Sequence, residues 1–192
     1  MLRATHLVPI LLAGAIVAAC DGATPTDAGS LGVLTEVPVA RQGRQQIPFK
    51  EDYTATGTIT PAASCGGGTL RVALEGAGTA THIGRYTITN SHCLDLTTGA
   101  FTGGVFVKTA ANGDQLFGTY SGIGSIIVPP EPVGRFAIQG TLEFTGGTGR
   151  FAGTSGTTSM QGIQVTDFSQ PGFPTSITLR IEGTISSVGS GR

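Results

Sequence analysis

Three side chains able to bind a ligand or move a proton, His82, Arg85 and Tyr86, fall within five residues of one another. Two extended runs, 69–76 and 82–93, flank the turn-like stretch Gly76-Ala77-Gly78-Thr79. Their pairing brings Arg71 and Glu75 close to the first three. Alternation along an extended segment puts His82 and Tyr86 on one face and Arg85 on the other. If the His82 face looks into a cavity, imidazole, phenol and the Glu75 carboxylate form a polar set that could bind or protonate a small ligand. If it lies at a rim, the same groups are simply hydrogen-bonded, and a lone histidine is weak evidence for chemistry. His82, Tyr86 and Glu75 are therefore candidate ligand-binding residues, and no residue is assigned as catalytic. Arg180 and Glu182, two apart on one face, read as a solvated surface pair.

Cysteine chemistry is more specific. The chain holds three cysteines. Cys65 and Cys93 lie near the far ends of the 69–93 hairpin, and an antiparallel pairing centred near Thr79 sets them opposite each other. In an exported protein such a pair persists as a disulfide. The alternative is a pair of thiols or a metal site. His92 beside Cys93 is the one hint of metal, but adjacent residues on a strand point to opposite faces. No metal or cofactor is expected. No nucleophile elbow, P-loop or dinucleotide fingerprint is present.

The third cysteine explains itself from what precedes it. Arg3 and His6 lead into an apolar run, residues 7–19, too short to span a bilayer, which takes about 20 residues. A charged start, an apolar middle and small residues before a cut describe a secretory signal. The sequence Val17-Ala18-Ala19-Cys20 resembles the lipobox of bacterial lipoproteins. The resemblance implies cleavage before Cys20, acylation of its thiol and new amine, and a location in the cell envelope. Several acyl chains give stable membrane anchoring. Residues 1–19 are thus expected to be a signal peptide and 20–47 a lipidated, flexible tether rich in Gly, Ala, Thr and Pro.

Residues 48–192 must then supply the domain. Composition opposes helices: 31 of 192 residues are glycine, and only 12% are charged. The net charge of −1, without a basic stripe, argues against nucleic acid as a partner. Apolar residues recur with a period of two. Phe136, Ile138, Leu142 and Phe144 alternate with Gln139, Thr141 and Glu143. Ile177, Leu179, Ile181 and Ile185 do the same near the C-terminus. Such alternation means strands with one dry and one wet face. Gly103-Gly104 suggests a bulge. Asn112-Gly113 reads as a tight turn setting Val107 opposite Gly118. Gly146-Gly147-Thr148-Gly149 reads as another, setting Phe144 opposite Phe151. Counting runs gives about eight strands with short connections, so the expected fold is all-β, a single antiparallel up-and-down barrel.

One segment adds a resemblance. Gly146-Gly147-Thr148-Gly149-Arg150-Phe151-Ala152-Gly153-Thr154-Ser155-Gly156 resembles the glycine-rich hairpin of plant dirigent proteins, and allene oxide cyclases carry similar hairpins. It covers about residues 134–162. The resemblance implies the eight-stranded barrel of those families. Their ionisable active-site residues match no motif here, so it carries over no catalytic residue.

Three functions fit these expectations. The first is a membrane-tethered barrel acting as a non-enzymatic binding or structural module for a small apolar ligand. The second is a cyclase- or isomerase-like enzyme, which requires a deep apolar cavity with His82, Tyr86 or Glu75 pointing inward. A third, an envelope interaction protein, requires an apolar surface patch and no cavity.

Overall fold

The computed structural model describes residues 45–65, 69–186 and 188–189. The signal peptide, Cys20 and nearly all of the tether lie outside these residues. Eight strands follow one another along the chain: β1 (Gln46–Pro61), β2 (Thr69–Ala80), β3 (Gly84–Asp95), β4 (Ala100–Ala110), β5 (Gln115–Val128), β6 (Val133–Gly147), β7 (Gly156–Asp167) and β8 (Thr175–Ser186). Each pairs antiparallel with its neighbours in sequence, and β8 returns to β1 to close the barrel. The all-β up-and-down architecture legible in the sequence is the one the chain adopts. Closure leaves no strand with an unpaired edge.

Period-two alternation accounts for the core. On β1 the buried positions are Phe49, Glu51, Tyr53, Ala55 and Ile59, each two or four residues from the next. On β8 they are Thr175, Ile177, Leu179, Ile181, Ile185 and Ser186. Strand β1 starts two residues earlier than the tether boundary at 47 implies, because Ile47 finds a partner in Ile185. The prolines of 129–132 separate β5 from β6, as residues that cannot donate to a ladder should.

Local turn chemistry departs from expectation in three places. Gly76-Ala77-Gly78-Thr79 is not a turn but part of β2; the reversal is Thr81-His82-Ile83, with His82 at φ 68° and Gly84 at φ 78°. Gly78 lacks a side chain because a Cβ there would lie 2.5 Å from the Tyr86 hydroxyl and 2.5 Å from the Tyr53 Cβ. Glycine in β2 thus makes room for two tyrosines inside the barrel.

The second departure is the loop at Asn112-Gly113. It holds three residues, not two: Ala110 N donates to Asp114 O at 2.9 Å, and Gly113 takes φ 87°. Such a loop shifts the register by one, so Val107 faces Phe117. The third is the glycine-rich hairpin, where Gly149–Phe151 form a 3₁₀ turn and β7 starts only at Gly156. Phe144 therefore pairs with Gly156, and its ring packs edge-on against Phe49 and Phe106 at 5.1 and 5.5 Å. The bulge at Gly103 is present, with φ 61° and a register shift between Phe101 and Gly104.

Cys65 and Cys93 form a disulfide with Cα atoms 5.4 Å apart. Its setting differs from a hairpin staple. Arg71, not Cys65, stands opposite Cys93, and Cys65 sits in the 3₁₀ turn Ala63–Cys65 that follows β1. The bond clips the β1–β2 connection to the end of β3.

The barrel has two unlike ends. At one end lie the 81–83, 111–114 and 148–155 connections, together with Gln46, which pairs with Ser186. Here Phe49, Phe106, Leu116, Phe144, Phe151 and Ile185 fill the interior. Arg150 ties the loops together: its guanidinium donates to Ile83 O at 2.9 Å and approaches Asp114 at 3.8 Å. At the other end lie the 96–99, 129–132 and 168–174 connections and the disulfide, and here the interior is hollow.

Candidate functional site

A cavity of about 330 Å³ occupies the open half of the barrel. Its walls come from alternate residues of every strand, including Ile59, Leu74, Phe101, Ile138, Ile177 and Leu179. That volume falls at the low end of the roughly 300–1,000 Å³ typical of small-molecule sites. Strand alternation aims these side chains inward, and small inward residues keep space between them. At Gly122, for example, a Cβ would come within 2.4 Å of the Phe101 ring.

A few polar groups stand among these walls. Tyr120 on β5 and Asn90 and His92 on β3 form a chain: His92 Nδ1 lies 2.8 Å from the Tyr120 hydroxyl, which donates to Asn90 Oδ1 at 3.2 Å. A hydroxyl has one proton, so with Tyr120 donating to Asn90 its oxygen accepts from His92. The Nδ1 position therefore carries the imidazole proton, and Nε2 presents a lone pair with no partner among the described residues. The His92 ring also packs edge-on against Tyr120 at 5.5 Å and tilts against Phe101 at 5.1 Å. Tyr53, Thr97, Thr98, Ser125 and Gln164 complete the polar lining. Gln164 donates to Thr166 at 3.0 Å. The Tyr53 hydroxyl makes no hydrogen bond among the described residues, although the side chain is only 8% exposed.

Burial sets the protonation of these groups. It pushes the His92 imidazole down to about 4, so the ring is neutral at neutral pH. Burial also raises the Tyr120 phenol, and burial together with nearby Glu51 and Tyr120 raises that of Tyr53 well above its usual value. In the unfolded chain the histidine takes up its proton near pH 6.5. Between that pH and about 4 the unfolded state binds the proton and the folded state does not. Stability is therefore whole above the unfolded value and is expected to fall by about 1.4 kcal/mol per pH unit as acid is added across the window. Urea titrations at stepped pH check this, and the His92→Phe variant should lose that part of the slope.

A second polar cluster lies beyond Tyr53, in the filled half. Glu51 of β1 and Lys108 of β4 form an ion pair with both side chains fully buried. Tyr86 of β3 donates its hydroxyl to the other oxygen of the Glu51 carboxylate. Four rings surround the ammonium. Those of Phe106 and Phe144 are nearest, with Lys108 Nζ 4.9 and 5.2 Å from their centres, in cation–π range. Burial drives the Lys108 amine below a free lysine's value, and the Glu51 charge opposes that shift. Burial and contact with Glu51 push the Tyr86 phenol far upward. Packed between aromatic rings and the loop cap, this cluster has no opening to ligand.

The residues singled out in the sequence are not brought together. Tyr86 does point into the barrel, but into the sealed cluster with Glu51 and Lys108. His82 sits exposed in the β2–β3 turn with Nε2 3.1 Å from Pro48 O, because the turn lies farther along the chain than the glycines suggested. Glu75 is exposed on the outer face of β2. Arg180 and Glu182 form an exposed pair at 2.9 Å, as their spacing indicates. The cavity's own polar residues carried only one sequence signal: Asn90, His92, Tyr120 and Gln164 each share the inward parity of their strands. His92 stood out solely as a neighbour of Cys93. Among the described residues no cluster of three His, Cys, Asp or Glu could hold a metal.

Apart from Val105 in the middle of β4, the large apolar side chains exposed among the described residues are not scattered. Leu96, Ile123, Ile126, Ile127, Val128 and Val133 all belong to the open end, and Leu96, Ile123 and Ile126 line the mouth of the cavity. The barrel thus presents a cavity together with an apolar patch around its mouth. In comparisons with known proteins, no family model, curated protein or solved structure matches the chain.

Proposed function

We propose that the barrel is the ligand-binding module of a membrane-tethered envelope lipoprotein and takes a small apolar molecule into its open half. The hollow in the barrel carries this reading. A wholly structural barrel of this width would fill with side chains, as the other half does. Apolar groups around the mouth give a greasy ligand a continuous path from a lipid phase to the cavity. The lipobox-like Val17-Ala18-Ala19-Cys20 supports the tether.

The test is direct. Binding of phenanthrene, a rigid hydrocarbon without polar groups, is measured by its fluorescence. An Ile138→Trp variant places an indole where the cavity lies and is expected to weaken binding at least about tenfold without loss of fold. Equal binding by the filled variant would show that the hydrocarbon sits elsewhere and would remove the basis for the reading. For the anchor, metabolic labelling with a fatty acid should mark the protein and fail to mark Cys20→Ala.

A second reading, a cyclase- or isomerase-type enzyme of the allene oxide cyclase barrel kind, draws on one observation: an unprotonated His92 Nε2 beside an apolar cavity could accept a proton from a bound substrate. It requires turnover that vanishes in His92→Phe while phenanthrene still binds.

A further inference from the structure

The chemistry of the cavity wall narrows the ligand further than its volume does, an inference that rests on the binding reading above. Among the residues lining the cavity there is no lysine, arginine, aspartate or glutamate. The buried charges Glu51 and Lys108 are spent on each other in the filled half, and Asp95 beside the mouth accepts from the backbone N–H of Thr97 and Thr98 at 2.7 and 3.3 Å. A bound carboxylate or phosphate would lose its water without gaining a cation, which weakens its binding. A bound ammonium would equally lack a carboxylate.

Two uncommitted hydrogen-bonding groups of the cavity are complementary to each other. The Tyr53 hydroxyl is a donor with no acceptor among the described residues. His92 Nε2 is an acceptor with no donor among the described residues; it is the unprotonated nitrogen because Nδ1 donates to Tyr120, whose own proton goes to Asn90. A buried polar group without a partner is costly, so each is a position where a ligand atom gains more than it would from water alone. The smallest neutral group that can both accept from Tyr53 and donate to His92 is a hydroxyl. The neutral form of His92 and of both tyrosines at neutral pH agrees with an uncharged partner.

We infer that the cavity selects an uncharged, largely apolar molecule bearing a hydroxyl group, and rejects its acidic counterparts. Fatty acids and other anionic amphiphiles are thereby excluded, while hydrophobic alcohols and phenols are admitted.

Three probes of one shape test this: phenanthrene, phenanthrol and phenanthrene carboxylate, titrated into the full-length protein at neutral pH. Phenanthrol is expected to bind about three- to tenfold more tightly than phenanthrene, the worth of one or two net hydrogen bonds. The carboxylate should bind at least about tenfold more weakly than phenanthrene. In Tyr53→Phe, and again in His92→Phe, the ratio of phenanthrol to phenanthrene affinity should fall toward one. A ratio unchanged in both variants, or a carboxylate bound as tightly as the alcohol, overturns the inference while leaving the binding module intact. Failure of phenanthrene itself to bind the wild-type protein overturns the binding reading and this inference with it.

Discussion

Lys108→Met is expected to destabilise the barrel by about 3–5 kcal/mol, enough to unfold a domain of ordinary stability. Methionine fills much of the volume of the lysine stem, so packing is not what is lost. The loss comes from leaving the Glu51 carboxylate in a ring of aromatics with only Tyr86 to receive its charge. The same physics makes a sharper statement about combinations. Glu51→Leu added to Lys108→Met removes the stranded charge, and Tyr86→Phe removes the hydroxyl that would then have no acceptor. The triple variant should recover most of the stability, because a buried ion pair contributes little beyond a well-packed apolar replacement. Urea denaturation of the single, double and triple variants measures this. A single variant costing under about 1 kcal/mol would mean that water reaches the cluster.

The second large effect concerns the disulfide. Replacing Cys65 and Cys93 by alanine is expected to cost about 3–4 kcal/mol, the loop-entropy value for a closed loop of this length, with 28 residues separating the two. Because the bond joins the β1–β2 connection to the end of β3, its loss should loosen the open end first. Hydrogen exchange should rise at Leu94 and Asp95 before it rises at Phe49 or Glu51. Uniform loss of protection across both ends would mean that the bond acts on the barrel as a whole.

The strands were legible because each has a wet and a dry face, and period two survives any error in the turns. Ile177, Leu179, Ile181 and Ile185 show their barrel face without reference to another strand. The turns were less legible where glycine serves space instead of conformation. Gly76 and Gly78 look like a reversal, yet Gly76 lets β2 lie close against Thr54 and Ala55 of β1, and Gly78 is the floor on which Tyr53 and Tyr86 lie. Only knowledge of the neighbouring strands distinguishes the two uses. The cavity was hidden for a related reason. His92 and Tyr120 are 28 positions apart, and a one-residue error in the β4–β5 loop is enough to separate them. Glu51 and Lys108, charged residues at inward positions, break the alternation each strand otherwise keeps. That break, visible in sequence, is what a buried ion pair looks like before its partner is known.

The pairing of Gln46 with Ser186 puts the start of β1 and the end of β8 side by side, at the opposite pole from the cavity mouth. Whatever is attached through either of those strands, be it a fusion partner, a bead or a sensor chip, grips the barrel by its sealed base. The mouth then faces outward into the medium, as a cup does when held from below, and its contents can exchange without the support standing in the way.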